Sequence, residues 1–341
     1  MLAFESDYNN GAHPAILKHL LETNDTAEPG YGHDGYSRAA AEKLRAFCGC
    51  PDGEVFFLAG GTQTNVVVLS AILAPFEGVI TAQTGHIHAH EAGAPEYAGI
   101  KTLTLPSHDG KLDAGELQQF LQAFYADENR EHMVFPGAVY LSHPTEYGTL
   151  YTRAELSAIA SLCASYGVRL FLDGARLGYG LMSKETDVSI RDIAALCDVF
   201  YIGGTKVGAL CGEAVVFPKG TAPQHYENHI KKHGALLAKG RAIGAQFDAL
   251  FTDGLYLALG RRGIETAERL KAILHEKGYR FFLETATNQQ FVILENAQYE
   301  RLSALVRLSY WEPYDAAHTV VRFATSWATR DADLDALAAI L

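Results

Sequence analysis

The chain has 341 residues, 48% of them hydrophobic and 20% charged, which is globular composition and length enough for one large domain with a smaller companion. Its net charge of -12, with no basic run longer than Lys231-Lys232 or Arg261-Arg262, argues against nucleic acid as a partner, because binding the phosphate backbone needs clustered Lys and Arg. No apolar run approaches the roughly 20 residues that cross a bilayer, residues 1–10 lack a leader's basic and apolar regions, and the five cysteines form no disulfide pattern, so the expectation is a cytoplasmic protein without membrane contact.

In chain order, β-rich runs at residues 55–59, 78–82, 102–105, 138–142, 168–172, 199–202 and 213–217 alternate with helical patterns. That alternation predicts an α/β fold with a mostly parallel sheet flanked by helices, and the wholly apolar runs predict strands covered on both faces. Thr152-Arg153-Ala154-Glu155 is a capping box, followed by Leu156, Ile159, Ala160 and Cys163 on one helical face. After about residue 220 long helical stretches give way to possible strands at 290–294 and 319–324, and a last helix begins near Asp331. The expected division is a large domain over residues 1–238 and a small C-terminal α+β domain over 239–341.

In an open parallel sheet, ligands sit outside the carboxyl ends of the strands, and three loops there carry chemistry. Gly60-Gly61-Thr62-Gln63-Thr64-Asn65 precedes an apolar helix expected from about Val66. Its glycines allow close approach, and the helix's free N–H groups and Thr62 suit a phosphate; the alternative is a glycine turn. It is neither a Walker loop nor a dinucleotide fingerprint. Asp173-Gly174-Ala175-Arg176 ends a buried run, where a carboxylate needs a cationic partner such as a protonated ring nitrogen, or Arg176 itself. Gly203-Gly204-Thr205-Lys206 offers a confined amine that loses its proton readily, unless the lysine is simply solvated. A phosphate cradle, a ring-nitrogen partner and an amine are together the parts of a pyridoxal 5′-phosphate (PLP) site.

At these residues the sequence resembles the threonine aldolase and β-eliminating lyase family, PLP enzymes of the aspartate-aminotransferase-like fold (fold type I). The likeness runs through Ser6-Asp7, Tyr31-Gly32-His33-Asp34, Gly60 to Asn65, His86 with Glu91-Ala92-Gly93, Asp173 to Arg176, Thr205-Lys206 and Val321-Arg322-Phe323-Ala324-Thr325. It implies that Lys206 carries PLP as a Schiff base, Asp173 faces the pyridine nitrogen, and His86 stacks on the ring. Gly60, Gly61, Thr62 and Thr205 would hold the phosphate, with Arg176 also beside the cofactor. Ser6, Arg176 and Arg322 would grip the substrate carboxylate, Tyr31 would line the site, and the N-terminal segment would contribute to it. A homodimer or homotetramer with sites near subunit boundaries is also implied.

The implied reaction is retro-aldol cleavage of a β-hydroxy-α-amino acid to glycine and an aldehyde. Where many members have Thr-His-Asn-Gly, this chain has Thr145-Glu146-Tyr147-Gly148, which is similar to the phenylserine aldolase and low-specificity aldolase branch. His86 is then the first candidate to take the β-hydroxyl proton, with Glu91, Glu146 or water as competitors. Other outcomes on the same cofactor are β-elimination or racemisation of another small amino acid. A remote alternative is a metal-dependent hydrolase, prompted by His86, His88 and His90 alternating on a strand; no metal is expected otherwise. Lys239 and Arg241 are weighed as reaching a neighbouring subunit's phosphate or as surface charge, and Trp311 and Trp327 as packing residues.

Overall fold

A computed structural model describes residues 1–341. Its strands are β1 (Leu2–Ala3), β2 (Glu54–Leu58), β3 (Glu77–Ala82), β4 (Lys101–Leu105), β5 (Phe135–Ser142), β6 (Arg169–Asp173), β7 (Val199–Gly203), β8 (Glu213–Phe217), β9 (Arg280–Leu283), β10 (Gln289–Glu295), β11 (Val306–Arg307), β12 (Ser309–Pro313) and β13 (His318–Ala324). Seven form one sheet in the order β2-β8-β7-β6-β5-β3-β4. All neighbouring pairs are parallel except those of β8, which runs opposite to both β7 and β2. Residues 204–212 between β7 and β8 are too short a connection for a crossover helix, so the chain returns antiparallel.

Both faces of this sheet are covered, as its continuous apolar strands require. Phe200, Ile202, Ala214 and Val216 point into one core, and Val199, Tyr201, Val215 and Phe217 into the other. This alternation gives a single strand two buried sides. The capping box forms as expected: Thr152 Oγ1 accepts from Glu155 N and Glu155 Oε2 from Thr152 N, starting helix Arg153–Tyr166. No helix is long and apolar enough to cross a membrane.

A second, antiparallel sheet, β12-β13-β10-β9, packs its own core, which includes Leu270, Val292, Val321, Phe323 and Leu334. β10 and β13 coincide with the expected late strands, but β9 and β12, both only partly buried, were not expected. The N-terminus joins this second body. β1 pairs parallel with β11, and Phe4 sits in the second sheet's core, its carbonyl accepting from Ala324 N at 2.8 Å. That anchoring delivers the next residues, Asp7 and Tyr8, to the rim of the large sheet.

The division expected after residue 238 meets no change of core there. Ile243, Phe247 and Leu250 of helix Arg241–Leu250 belong to the large sheet's core. Helix Leu255–Glu276 bridges the two bodies, with Tyr256, Leu259 and Ile264 in the first core and Leu270 and Leu274 in the third.

Candidate active site

The carboxyl ends of β2, β5, β6 and β7 and the beginning of β8 meet at one rim. They surround a cleft of about 270 Å³ whose walls include Gly60, Gly61, Thr62, His86, Asp173, Arg176, Thr205 and Lys206. Tyr8, Ser142, Glu146, Tyr201 and Glu213 also line it.

The glycine segment differs from expectation in one respect. The helix begins at Gly61, not near Val66, and runs to Ile72. Gly60 caps it in an extended conformation without any side-chain hydrogen bond, so the N–H groups of the first turn open onto the cleft with the positive end of the helix dipole behind them. A Cβ at Gly61 would lie 3.2 Å from Tyr201 Oη, so a larger residue there would crowd that hydroxyl by a few tenths of an ångström.

Asp173, at the end of β6, is buried. Its Oδ2 accepts from Tyr140 Oη at 2.5 Å and Asn65 Nδ2 at 3.3 Å, and its Oδ1 from Ala175 N at 2.9 Å. Burial alone would push the carboxyl up, but His86 and these donors hold it below the usual range, so it is an anion ready for a cationic partner. Lys206 is pulled the other way: burial first, then the charge of Arg176, lowers its pKa despite Asp7, Asp173 and Glu213 nearby. Both directions suit the roles expected for these residues.

Two buried arginines follow: Arg176 lines the cleft with the lysine, whereas Arg322 is not part of its lining and stands behind it, near Arg176 and Asp7. Arg176 donates from Nε to Asp7 Oδ2 at 2.7 Å and from Nη2 to Asp7 Oδ1 at 3.0 Å, and Asn288 Nδ2 also donates to Asp7 Oδ2 at 2.9 Å. Burial would raise the Asp7 carboxyl, yet Arg176 and Lys206 bring it down to about 2. Arg322 donates to Gln289 Oε1 at 2.8 Å and to the Glu5 carbonyl at 2.9 Å, and its buried Nε has no partner. Burial and then repulsion from Arg176 lower it to about 10, Asp7 offsets this only in part, and no carboxylate pairs with this guanidinium directly.

His86 begins a short helix, His86–Ala89, and its Nδ1 bonds Glu91 Oε1 at 2.8 Å; the same oxygen accepts from Asn65 Nδ2 at 2.6 Å. Glu146 Oε1 accepts from both His86 N at 2.9 Å and Ser142 Oγ at 2.5 Å. Burial raises its pKa. Beyond His86 a wall continues through His90, 5.7 Å away between ring centroids, to Trp311 at 5.9 Å from His90. Arg322 lies 5.2 Å over the Trp311 ring. Trp311 thus borders the site, whereas Trp327 packs against the large core, as expected of it.

The structure does not bring every expected residue to the cleft. Ser6 Oγ donates to Asn9 Oδ1 at 2.5 Å and lies beside the site rather than in its lining. Tyr31 is half-exposed in a separate depression with Gly32, His33, Leu237 and Gly240, with Lys231 4.8 Å over its ring. Arg241 donates to the Thr23 and Thr26 carbonyls and tethers that loop in its own chain. The premise of a three-histidine metal set fails, because residues 86–89 are helical rather than extended, and His88 turns to Thr102 Oγ1 at 3.4 Å while His86 and His90 approach each other. No group of three or more His, Cys, Asp or Glu side chains is arranged to hold a metal.

Sequence reasoning missed Asp7 as a partner of Arg176, and also Tyr140 and Glu213. Glu213 had a usable signal, since a carboxylate at the mouth of an apolar strand is the same anomaly that singled out Asp173. Asp7 had none, because its place depends on the N-terminus pairing with residues three hundred positions later.

The family model for beta-eliminating lyases matches residues 4–297. A low-specificity L-threonine aldolase of a Pseudomonas species is 29% identical over 340 residues, covering 98% of this chain and 96% of that one. Its namesake from Pseudomonas aeruginosa is 28% identical over 330 residues, covering 96% and 93%. A threonine aldolase structure from Leishmania major superposes with a TM-score of 0.95 at 40% identity, over 100% of this chain and 98% of that one. An aspartate aminotransferase from Thermus thermophilus shares the fold at a TM-score of 0.72 and 18% identity, over 100% and 92%. The uncapped helix end, the anionic Asp173 and the depressed Lys206 fit PLP as the cofactor, and the chain belongs to the β-eliminating lyase family of PLP-dependent enzymes.

Proposed function

We propose that this enzyme cleaves the Cα–Cβ bond of β-hydroxy-α-amino acids of the threonine, allo-threonine or phenylserine type, releasing glycine and an aldehyde. The observation that carries this reading is the convergence of Lys206, Asp173 and the open end of helix Gly61–Ile72 on one cleft beside two buried arginines. PLP, when bound, supplies the electron sink for the pair left on Cα. Lys206 would be its covalent attachment point, Asp173 would keep a proton on the ring nitrogen, and Gly60, Gly61 and Thr62 would receive the phosphate.

The substrate carboxylate lies between Arg322, whose Nε is unpartnered, and Arg176, whose Nε and Nη2 are already held by Asp7. Arg176 therefore contributes Nη1 and charge rather than a full fork. Anchoring the carboxylate selects the rotamer about the substrate N–Cα bond, and so which bond stands perpendicular to the cofactor ring.

His86 stacks on the ring and takes the β-hydroxyl proton. Its Nδ1 is oriented by Glu91, which leaves Nε2 to accept. A second reading assigns the proton to Glu146, favoured because both of its hydrogen bonds fall on Oε1 and leave Oε2 free. His86→Phe keeps a stacking ring without a base; it is expected to lower kcat by about 10²–10⁴-fold with PLP retained, and to exceed the effect of Glu146→Gln. The reverse order would assign the base to Glu146. Incubating the PLP-loaded enzyme with a panel of β-hydroxy amino acids should yield glycine and aldehyde; a 2-oxo acid and ammonia instead would mean β-elimination.

The working form is a homo-oligomer in which Tyr31 reaches the cleft of a second copy. What supports this is its exposure in an apolar depression outside its own cleft. A cytoplasmic location is supported by five free cysteines.

A further inference from the structure

Glu213 is a buried acid at the phosphate end of the cleft that neither composition nor the roles above account for. It begins β8, the strand inserted between β2 and β7, and its register partners are Leu58 and Gly203. Those two residues lead directly into the glycine segment and the lysine loop, so the pairing places Glu213 between both. Along β8, Val215 shares its face with Leu58, Tyr201 and the helix residues Val67 and Val68. By the two-residue period, Glu213 projects to the same side, beneath the open end of helix Gly61–Ile72. It is 3% exposed and lines the cleft.

Its two oxygens differ. Oε1 accepts from Thr205 Oγ1 at 2.8 Å, whereas Oε2 is buried without a partner. Thr205 has one hydroxyl proton, directed to Glu213, while its oxygen accepts from Gly212 N at 3.0 Å. In this arrangement the hydroxyl proton is engaged with Glu213, with the Gly212 carbonyl 3.4 Å away as a second acceptor, rather than turned to the cleft.

We propose that Glu213, in its protonated form, donates from Oε2 to the cofactor phosphate, taking the role that the sequence suggested for Thr205, and that its ionisation weakens phosphate binding. This rests on the assignment of PLP to the cleft. The groups facing Glu213 are Lys206 and Thr205 from the lysine loop, Asp173 from β6, Tyr201 from β7 and Tyr256 from helix Leu255–Glu276. Burial pushes the carboxyl up to about 8, and neither Thr205 nor Lys206 pulls it back to the ordinary range. Near neutral pH it is an acid and a donor; above pH 8 it is a carboxylate facing a phosphate dianion.

The test uses cofactor-free protein and pyridoxamine 5′-phosphate, which lacks the aldehyde and cannot condense with Lys206, alongside pyridoxamine, which lacks the phosphate. For the wild type, the affinity ratio of the two ligands should fall about tenfold between pH 7 and 9, as a single linked proton requires. In Glu213→Gln, whose amide still donates, the ratio at pH 7 should stay within about threefold of wild type and the fall should vanish. An unchanged fall in the variant, or no fall in the wild type, overturns the proposal. Absence of any pyridoxamine 5′-phosphate binding at every pH would instead remove the cofactor assignment beneath it. Should the variant not fold, judged by circular dichroism, the ³¹P shift of the cofactor in wild-type holoenzyme decides: a titration step near pH 8 is expected, and a flat profile from pH 6.5 to 9.5 overturns it.

Discussion

Asp7 holds two of the donors of Arg176 and one of Asn288 in a place without water access, so its charge is structural as well as functional. Replacing it by Asn leaves a buried guanidinium without its counter-ion, which costs on the order of 3 kcal/mol; equilibrium denaturation of Asp7→Asn checks this. The sign of its pH dependence follows from a carboxyl held at about 2 instead of its ordinary 3.8. Its contribution is complete above pH 4 and is lost as pH falls through 2, so the acid-side decline in stability over that window should be steeper in wild type than in Asp7→Asn, which keeps only the share of the other depressed carboxylates such as Asp173. Lys206→Ala should bind PLP without covalent attachment. Borohydride reduction followed by mass measurement should then find no adduct on the variant, turnover should be abolished, and an adduct would place the attachment elsewhere. Asp173 was legible because a charged residue ending an apolar strand is anomalous in one dimension, and Lys206 because its glycine loop directly follows such a strand. Asp7 was not, since its partner becomes a neighbour only through the pairing of β1 with β11.

Among the elements, helix Arg241–Leu250 lies closest to helix Gly35–Cys48, and the contact depends on Gly244, where an added Cβ would fall well inside van der Waals distance of Ser37 Oγ. Gly244→Ala should therefore destabilise the protein by about 1–3 kcal/mol through overpacking, even though alanine is the better helix former. A rise in the thermal midpoint would show that the helices separate at no cost. The strands of the large sheet were readable within three residues, most sharply β6, β7 and β8, which are covered on both faces and so carry apolar runs. β12 was not, because this partly exposed strand mixes Ser309 and Glu312 with its aromatics, and β9 was not, because its apolar run is only Phe281-Phe282-Leu283. The beginning of helix Gly61–Ile72 was placed too late because its first turn, Gly61-Thr62-Gln63-Thr64-Asn65, carries no apolar periodicity; those residues serve the cleft instead.

For the molecule as a whole, the N-terminal segment and helix Leu255–Glu276 tie the small sheet to the large one, and Arg322 on β13 brings its charge near Arg176 and Asp7 from the small sheet's side. Tyr31, outside its own cleft, supplies the test of a shared site. Lys206→Ala and Tyr31→Ala, each nearly inactive, should regain roughly a quarter of wild-type activity when refolded together, because half of random dimers then carry one intact site. No recovery would show that Tyr31 does not serve the cleft of a second copy. Which loops bear chemistry, which strands are buried and which family the chain resembles were all written in local sequence, because burial and glycine-lined turns leave their mark residue by residue. That Asp7 orients Arg176, that Glu213 lies between the glycine and lysine loops, and that Trp311 borders the site were decided only when distant segments paired. Register and strand order depend on the packing of the complete chain, and no window of residues contains them.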